Sequence, residues 1–237
     1  MEHRLFPSVA VITPYYQEDP AMLAKCHESV RSQTFPCLHV LVADGHAAPE
    51  IDEWNAHHVT LPVCHDDIGS TPRLIGSYHA IGLGVDAVAF LDADNWYAPQ
   101  HIAGMMAARR DHSAAVVSSG RMLCHLDGTS MAPCPATDPE RFIDTNCMLM
   151  GREAFPLLHH WALMPNYGHL IGDRIMWHHI RRSGLRHRHV AEPSVHYRCR
   201  KEGAYHQLGV PPPAGVQPRP DYEASRQRWV ADGNPPL

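Results

Sequence analysis

The sequence lacks several features that would place it in a familiar class at once. No apolar run approaches the about 18 residues that a membrane-spanning helix needs, and His3, Arg4 and Pro7 interrupt any apolar leader. The seven cysteines include no Cys-x-x-Cys pair. That absence argues against a zinc ribbon or a disulfide framework and favours a reducing compartment. We therefore expect a cytoplasmic protein without a transmembrane segment, while peripheral membrane contact stays open.

Positive charge is also scarce. The chain has 20 Lys and Arg against 25 Asp and Glu, a net charge of -5, so nothing indicates a nucleic-acid partner. At 237 residues and 44% hydrophobic content, it suits one large or two small globular domains. Histidine is abundant instead, with 20 residues. They are scattered or adjacent rather than at zinc-ligand spacing, and we expect most of them to fill surface or core positions.

Short apolar runs alternate with segments of helical periodicity in the first hundred residues. A short continuous apolar run is typical of a strand buried in a parallel sheet. Such runs lie at 9–13, 40–43, 59–63 and 88–91. Between them we predict helices at 21–33 and from Thr71, with Pro72 at the first helical position. The residues expected on the buried face of the second helix are Leu74, Ile75, Tyr78 and Ile81. This alternation predicts an α/β domain with a mainly parallel sheet flanked by helices.

The second half of the chain is less regular. We predict a helix after Pro99 and a later one that begins with Asp173 as N-cap and ends at Gly184. Further strands are predicted at 115–118, 121–126, 142–150 and 190–198. From Gly203 the composition becomes proline-rich, which indicates an extended segment with a short helix at 222–230.

Two carboxylates, Asp92 and Asp94, follow the run at 88–91. If that run is a strand rather than a buried helix, the pair lies at the carboxyl end of the sheet, where ligands bind. At about 5 Å the two charges repel by roughly 3 kcal/mol at an effective dielectric of about 20. A divalent cation such as Mg²⁺ or Mn²⁺ would remove that cost. The alternative is a polar strand end at which one aspartate caps the next helix.

Five short motifs occur in an order that resembles one enzyme family. They are Val11-Ile12-Thr13-Pro14-Tyr15-Tyr16, Ser29-Val30-Arg31-Ser32-Gln33-Thr34, Val42-Ala43-Asp44-Gly45, Gly69-Ser70-Thr71-Pro72-Arg73 and Phe90-Leu91-Asp92-Ala93-Asp94-Asn95. Over about residues 8–200 the chain resembles the family 2 glycosyltransferases. The resemblance implies a GT-A fold, a Rossmann-like and mainly parallel sheet flanked by helices, with a C-terminal portion on the acceptor side. It also implies a nucleotide-diphosphate sugar as the donor substrate.

The resemblance assigns the donor nucleotide to the ends of the first strands. The residues implied to line the nucleoside pocket are Thr13, Pro14, Tyr15 and Tyr16. Asp44 would accept hydrogen bonds from the base, and Arg73 would face the diphosphate. Each residue has a structural alternative. The tyrosines could be packed aromatics, Asp44 a turn former before Gly45, and Arg73 a solvated charge in a first helical turn.

The resemblance also implies the metal and catalytic residues. Asp92 and Asp94 would bind ribose and a divalent cation, Mn²⁺ or Mg²⁺, with Asp94 as the direct ligand. His196 would be a further metal or diphosphate contact, and Asp173 the general base. Arg198 would clamp the diphosphate, or it could be a solvated charge. Asp173 could equally serve only as a helix cap.

These assignments predict a metal-dependent, inverting hexosyltransferase that moves one sugar from a nucleotide-diphosphate sugar to a hydroxyl of a glycan, lipid-linked or small acceptor. Ser225 stands where the Gln-x-x-Arg-Trp motif of processive synthases would begin, which favours transfer of a single sugar. We expect a catalytic domain at 1–202, divided at about residue 98, and a tail at 203–237. Two alternatives stay open: a non-catalytic nucleotide-sugar-binding module, and a sugar-phosphate nucleotidylyltransferase, whose glycine-rich loop is missing here.

Overall fold

The computed structural model describes residues 8–237, so the predicted start of the catalytic domain lies outside the described residues. In this range nine strands form one sheet. The strands are β1 (Val9–Tyr15), β2 (Leu38–Asp44), β3 (His57–Leu61), β4 (Ala87–Phe90), β5 (Trp96–Tyr97), β6 (Val116–Cys124), β7 (Ser130–Pro133), β8 (Met148–Gly151) and β9 (His187–Arg198). The helices are α1 (Pro20–Arg31), α2 (Ser70–Gly82), α3 (His101–His112), α4 (His160–Leu163), α5 (Gly172–Arg182), α6 (Glu202–Gln207) and α7 (Tyr222–Ala231).

The strand order is β3-β2-β1-β4-β8-β6-β9-β5, and β7 also pairs with β6. The first four strands in this order are parallel to one another, and β6 is parallel to β9. Every antiparallel pair involves β5, β7 or β8. The predicted α/β fold with a mainly parallel sheet flanked by helices is therefore confirmed. No helix within the described part of the chain is long and apolar enough to cross a membrane.

The parallel half of the sheet brings the predicted motifs to one edge. In the β1–β4 register Ile12 lies beside Phe90, and in the β1–β2 register Tyr15 lies beside Ala43. The residues that follow Phe90 and Ala43 therefore leave the sheet at the same carboxyl edge as the end of β1. All seven residues of β1 are buried, which explains why this strand reads as a continuous apolar run.

The buried face of α2 differs from the prediction. Ile75 and Tyr78 are 38% and 48% exposed, and the helix instead packs through Gly76, Ser77 and Ala80. A Cβ atom on Gly76 would lie only 2.7 Å from a methyl group of Ile12. The small residues allow the backbone of α2 to approach the sheet closely, so Ile75 and Tyr78 point outward, whereas Leu74 and Ile81 are partly buried against the core.

Several predicted boundaries also need correction. α2 begins at Ser70, not at Thr71, because the Asp67 carboxylate accepts the backbone N–H of Thr71 at 2.7 Å and supports the first turn. The two strands predicted at 115–118 and 121–126 form one strand, β6. Only the end of the run at 142–150 is a strand, since Asp144 caps a short 3₁₀ turn before β8.

Candidate active site

A cavity of about 740 Å³ opens at the carboxyl ends of β1, β2 and β4. We call it the large cavity. The predicted site residues among its lining are Pro14, Tyr15, Tyr16, Asp44, Arg73, Asp92 and Asp94. Ligands of open α/β sheets bind at this position, outside the carboxyl ends of the parallel strands. Thr13 is the exception in the predicted loop: it is fully buried, and its hydroxyl lies 2.9 Å from His39 Nε2.

Asp92 is held by partners on two sides. Its Oδ1 atom forms an ion pair with the Arg73 guanidinium, and its Oδ2 atom accepts a hydrogen bond from Asn146 Nδ2 at 2.8 Å. The Asn146 side-chain oxygen in turn accepts the backbone N–H of Asp92 at 2.6 Å. Because its charge is compensated by Arg73 and its position is fixed by Asn146, the Asp92 side chain is a rigid part of the lining of the large cavity.

Asp94 is much less compensated. Its side chain is 18% exposed, and its one ion-pair partner within residues 8–237 is Arg200, with Nη1 3.5 Å from Oδ2. Burial, followed by the nearby charge of Asp92, raises the pKa of Asp94 to about 6. Neither aspartate caps the next helix, because the N-cap of α3 is Gln100. The structure therefore leaves a carboxylate that a cation would stabilise at the mouth of the large cavity.

Asn146, Asp144 and Arg121 form a buried chain behind Asp92 that the sequence analysis missed. Asp144 Oδ1 accepts a hydrogen bond from Asn146 Nδ2 at 2.7 Å, and Asp144 Oδ2 pairs with the Arg121 guanidinium. The available signal was a polar triplet at 144–146 inside an otherwise apolar run. This chain fixes Asn146, and through Asn146 it orients Asp92.

Asp44 lies in the large cavity but already has partners within the protein. Its Oδ1 atom lies 2.6 Å from His65 Nδ1, and the carboxylate also accepts the backbone N–H of His65 at 3.1 and 3.2 Å. The following residue, Gly45, has a φ of 80°, and a Cβ atom there would lie 2.5 Å from the backbone nitrogen of Cys64. Asp44 therefore fixes the loop after β3 and also lines the large cavity.

The two tyrosines of the predicted loop have different environments. Tyr15 is buried, its hydroxyl lies 2.7 Å from His58 Nε2, and it accepts the backbone N–H of Ala48 at 2.9 Å. Tyr16 is 42% exposed and makes an edge-to-face contact with His46, with ring centroids 4.6 Å apart. Tyr15 is thus locked into the fold, while Tyr16 presents a ring at the cavity surface.

Arg198 and His196 are not among the residues that line the large cavity. Arg198 donates from Nε to the carbonyl of Asp94 at 3.1 Å and from Nη1 to the carbonyl of Leu126, so it braces the Asp92–Asp94 loop from behind. His196 stacks on Trp96, with ring centroids 5.2 Å apart. Between residues 8 and 237, no group of three His, Cys, Asp or Glu side chains is arranged to hold a metal ion. The structure therefore does not bring His196 to the two aspartates.

Asp173 lies in a second cavity of about 200 Å³, which we call the small cavity. It is the second residue of α5, whose N-cap is Ile171, so the prediction that Asp173 is the N-cap is wrong. Its Oδ1 atom accepts the backbone N–H of Arg174 at 2.7 Å. Burial, followed by the charge of Asp144, raises the pKa of Asp173 to about 6. A carboxylate with that pKa can accept a proton near neutral pH.

The buried chain of Arg121, Asp144 and Asn146 connects the two cavities. Asp144 and Arg121 line the small cavity, and Asn146 connects Asp144 to Asp92 in the large cavity. The half-buried Tyr197 lines the small cavity as well, and its pKa is raised by burial, then by Asp144, with Asp94 and Asp92 acting in the same direction. The two candidate sites are therefore close enough to interact electrostatically.

Solved structures of S. aureus TarS share this fold. TarS 1–349 in complex with UDP has a TM-score of 0.64 at 16% identity over 81% of this chain and 60% of that chain. The complex of TarS 1–349 with UDP-GlcNAc has a TM-score of 0.58 at 14% identity over 81% of this chain and 58% of that chain. The present chain thus spans about three fifths of the length of TarS 1–349. At these identities the likeness shows the fold, the GT-A fold of glycosyltransferases.

The family follows from the sequence profile of Glycosyl transferase family 2, which matches residues 10–164. That range contains β1 to β8 and all residues of the large cavity. The chain belongs to glycosyl transferase family 2. No curated protein matches it.

Proposed function

We propose that the protein transfers a single hexose from a nucleotide-diphosphate sugar to an acceptor hydroxyl, with inversion at the anomeric carbon and with the help of a divalent cation. The observation that carries this proposal is the undercompensated carboxylate of Asp94 beside the fixed carboxylate of Asp92 in the large cavity. A binding module would gain nothing from the further carboxylate of Asp173, whose pKa of about 6 suits proton transfer.

The residues at Asp94 fit a divalent cation. A buried carboxylate costs free energy unless it is paired, and in the described part of the chain Asp94 pairs with one cationic side chain, Arg200, at 3.5 Å. Magnesium-like ions are commonly bound by one or two carboxylates together with substrate phosphates, so the lack of a third protein ligand is consistent with such a site. When bound, the cation would offset the negative charge that develops on the leaving nucleoside diphosphate.

UDP is the nucleotide that we propose for the large cavity, since TarS structures contain UDP and UDP-GlcNAc. The exposed ring of Tyr16 offers a surface for the base. The Asp44 carboxylate has lone pairs available for the N–H of the base, because its hydrogen bonds to His65 leave part of its accepting capacity unused. Arg73 points from α2 to Asp92 and places positive charge at the cavity wall.

Asp173 is the proposed general base. Its Oδ1 atom accepts a backbone N–H, and we propose that Oδ2 accepts the proton of the attacking hydroxyl. Direct attack assisted by one base implies a single displacement and hence inversion at the anomeric carbon.

A thermal-shift screen tests the proposal. Nucleoside diphosphates are added to the protein with and without Mn²⁺, and we expect UDP with Mn²⁺ to raise the melting temperature most. A ligand at 100 times its dissociation constant adds about 2.7 kcal/mol of stability. If no nucleoside diphosphate stabilises the protein in either condition, the proposed donor site is wrong.

A further inference from the structure

The small cavity carries a surplus of positive charge. Five cationic side chains line it against two carboxylates, Asp144 and Asp173. The cationic residues are Arg121, Arg174, Lys201, Arg219 and Arg226. A cavity lined mainly by one sign of charge attracts ligands of the opposite sign, so the pairing of each side chain decides how much of this charge is available.

Two of the five cations are neutralised within the protein. Arg121 is paired with Asp144, and Arg226 with Glu223 on the same turn of α7. The Nε atoms of both guanidiniums are nevertheless buried without a hydrogen-bond partner. Buried donors of this kind are uncommon in proteins.

The other three cations have no carboxylate within ion-pair distance among the described residues. Arg174 lies over the Phe142 ring, 4.3 Å from its centroid. Arg219 lies over Tyr222, 5.7 Å from its centroid. The Lys201 ammonium donates to the neutral side chain of Gln217. Burial lowers the pKa of Arg174 and the charge of Asp173 raises it, while the charges of Arg226, Arg121 and Arg219 lower it further, so these cations repel one another.

We propose that the small cavity binds an oxyanion of the acceptor, a phosphate or a carboxylate, through Arg174, Arg219 and Lys201, and that the acceptor is therefore an anionic molecule. Guanidinium groups match the geometry of both oxyanions. Bound there, the anion places the rest of the acceptor beside Asp173, which lines the same cavity. This inference rests on the proposed role of Asp173 as the base and adds the chemical class of the acceptor.

Calorimetric titration of the full chain with inorganic phosphate tests the inference, with Mn²⁺ present throughout and with and without saturating UDP. We expect phosphate to bind in both conditions, because UDP would occupy the large cavity. Arg174→Gln and Arg219→Gln should each weaken phosphate binding by about tenfold, the usual effect of losing one charge-assisted hydrogen bond. Arg110→Gln is the matched control, since its side chain is 77% exposed and paired with Asp111. It should bind phosphate as the unmodified protein does.

Two outcomes overturn the inference: phosphate does not bind, or Arg174→Gln and Arg219→Gln both bind it as tightly as Arg110→Gln does. Arg219 is exposed, so we expect Arg219→Gln to fold. If Arg174→Gln does not fold, phosphate binding by Arg219→Gln alone decides the test. A parallel titration with acetate assigns the anion, since the tighter ligand identifies the acceptor group as phosphate or carboxylate. Failure of UDP to bind would count against the proposed donor site only. The effects of Arg174→Gln and Arg219→Gln locate the phosphate in the small cavity whether or not UDP binds.

Discussion

Asp92 and Asp94 are separated by one residue, but their surroundings give them different capacities. Asp92 is fixed by Arg73 and Asn146, so it can position a ligand without gaining a new charge partner. Among the described residues, Asp94 has Arg200 as its one ion-pair partner, with Nη1 3.5 Å from Oδ2, and its pKa is raised. In the sequence only the family resemblance distinguished Asp94 from Asp92, whereas in the fold Asp92 is fixed by its partners and Asp94 is less compensated.

At the same scale, Asp173→Asn separates catalysis from stability. Asn cannot accept a proton, so turnover should fall by about 10²–10⁴-fold, while the affinity for UDP stays unchanged. Transfer assays and calorimetry on the same preparation measure both quantities. Asp111→Asn, which removes an exposed carboxylate outside both cavities, is the control. Full transfer activity in Asp173→Asn would show that another group is the base.

The pH dependence of Asp173 gives a second prediction. Its pKa is about 6 in the folded protein, so kcat/KM should rise as the pH increases through about 6. The same shift means that ionised Asp173 lowers stability, and this loss grows as the pH rises from about 4 through about 6. Asp173→Asn should therefore melt at or above the unmodified protein at pH about 7 and equally at pH about 4. Lower stability of the variant at both values would contradict this account of Asp173.

Asp44→Ala tests recognition of the base. The substitution should weaken UDP binding by about 1–3 kcal/mol, because a buried polar partner is lost. His65→Ala is the matched variant: it removes the contact of the imidazole with Asp44 but leaves the carboxylate in the large cavity. Calorimetry should show the larger loss for Asp44→Ala. An equal loss in both variants would mean that Asp44 acts only by holding the loop.

At the scale of elements, α2 carries Arg73 to the large cavity, and its position depends on Gly76. A Cβ atom there would lie 2.7 Å from Ile12 and 2.8 Å from Val42, so Gly76→Ala should lower the free energy of unfolding by about 1–3 kcal/mol. Gly82→Ala, in the same helix, meets nothing within 4 Å and should be neutral or stabilising by about 0.5–1 kcal/mol. Urea denaturation measures both, and equal effects would contradict close packing at Gly76.

The elements also show how far the sequence could predict the structure. β1, β2 and β4 were predictable because strands buried on both faces read as continuous apolar runs. The buried face of α2 was not predictable by hydrophobicity, since close approach to the sheet selects small residues there. Asn146 contacts Asp92, which lies 54 positions earlier in the chain, and Arg198 contacts Asp94, which lies 104 positions earlier. No local sequence pattern shows contacts over such separations.

At the scale of the whole molecule, the C-terminal segment contributes to the candidate acceptor site. Arg219, Tyr222 and Arg226 line the small cavity together with Asp173, and Tyr205 of α6 is fully buried. The division into a catalytic domain at 1–202 and a tail at 203–237 stays a prediction. We propose that the tail completes the acceptor side of the domain, which agrees with its contribution to that cavity.

The most direct test of the account is calorimetric titration of UDP into the unmodified protein and into Asp94→Asn, each with Mn²⁺ and with excess chelator. We predict that UDP binding requires Mn²⁺ in the unmodified protein, because the cation offsets repulsion between the diphosphate and the two carboxylates. Asp94→Asn should remain folded and lose the Mn²⁺-dependent binding, while Asp111→Asn keeps it. Undiminished UDP binding in Asp94→Asn, or in the unmodified protein with chelator, would contradict the role proposed for Asp94.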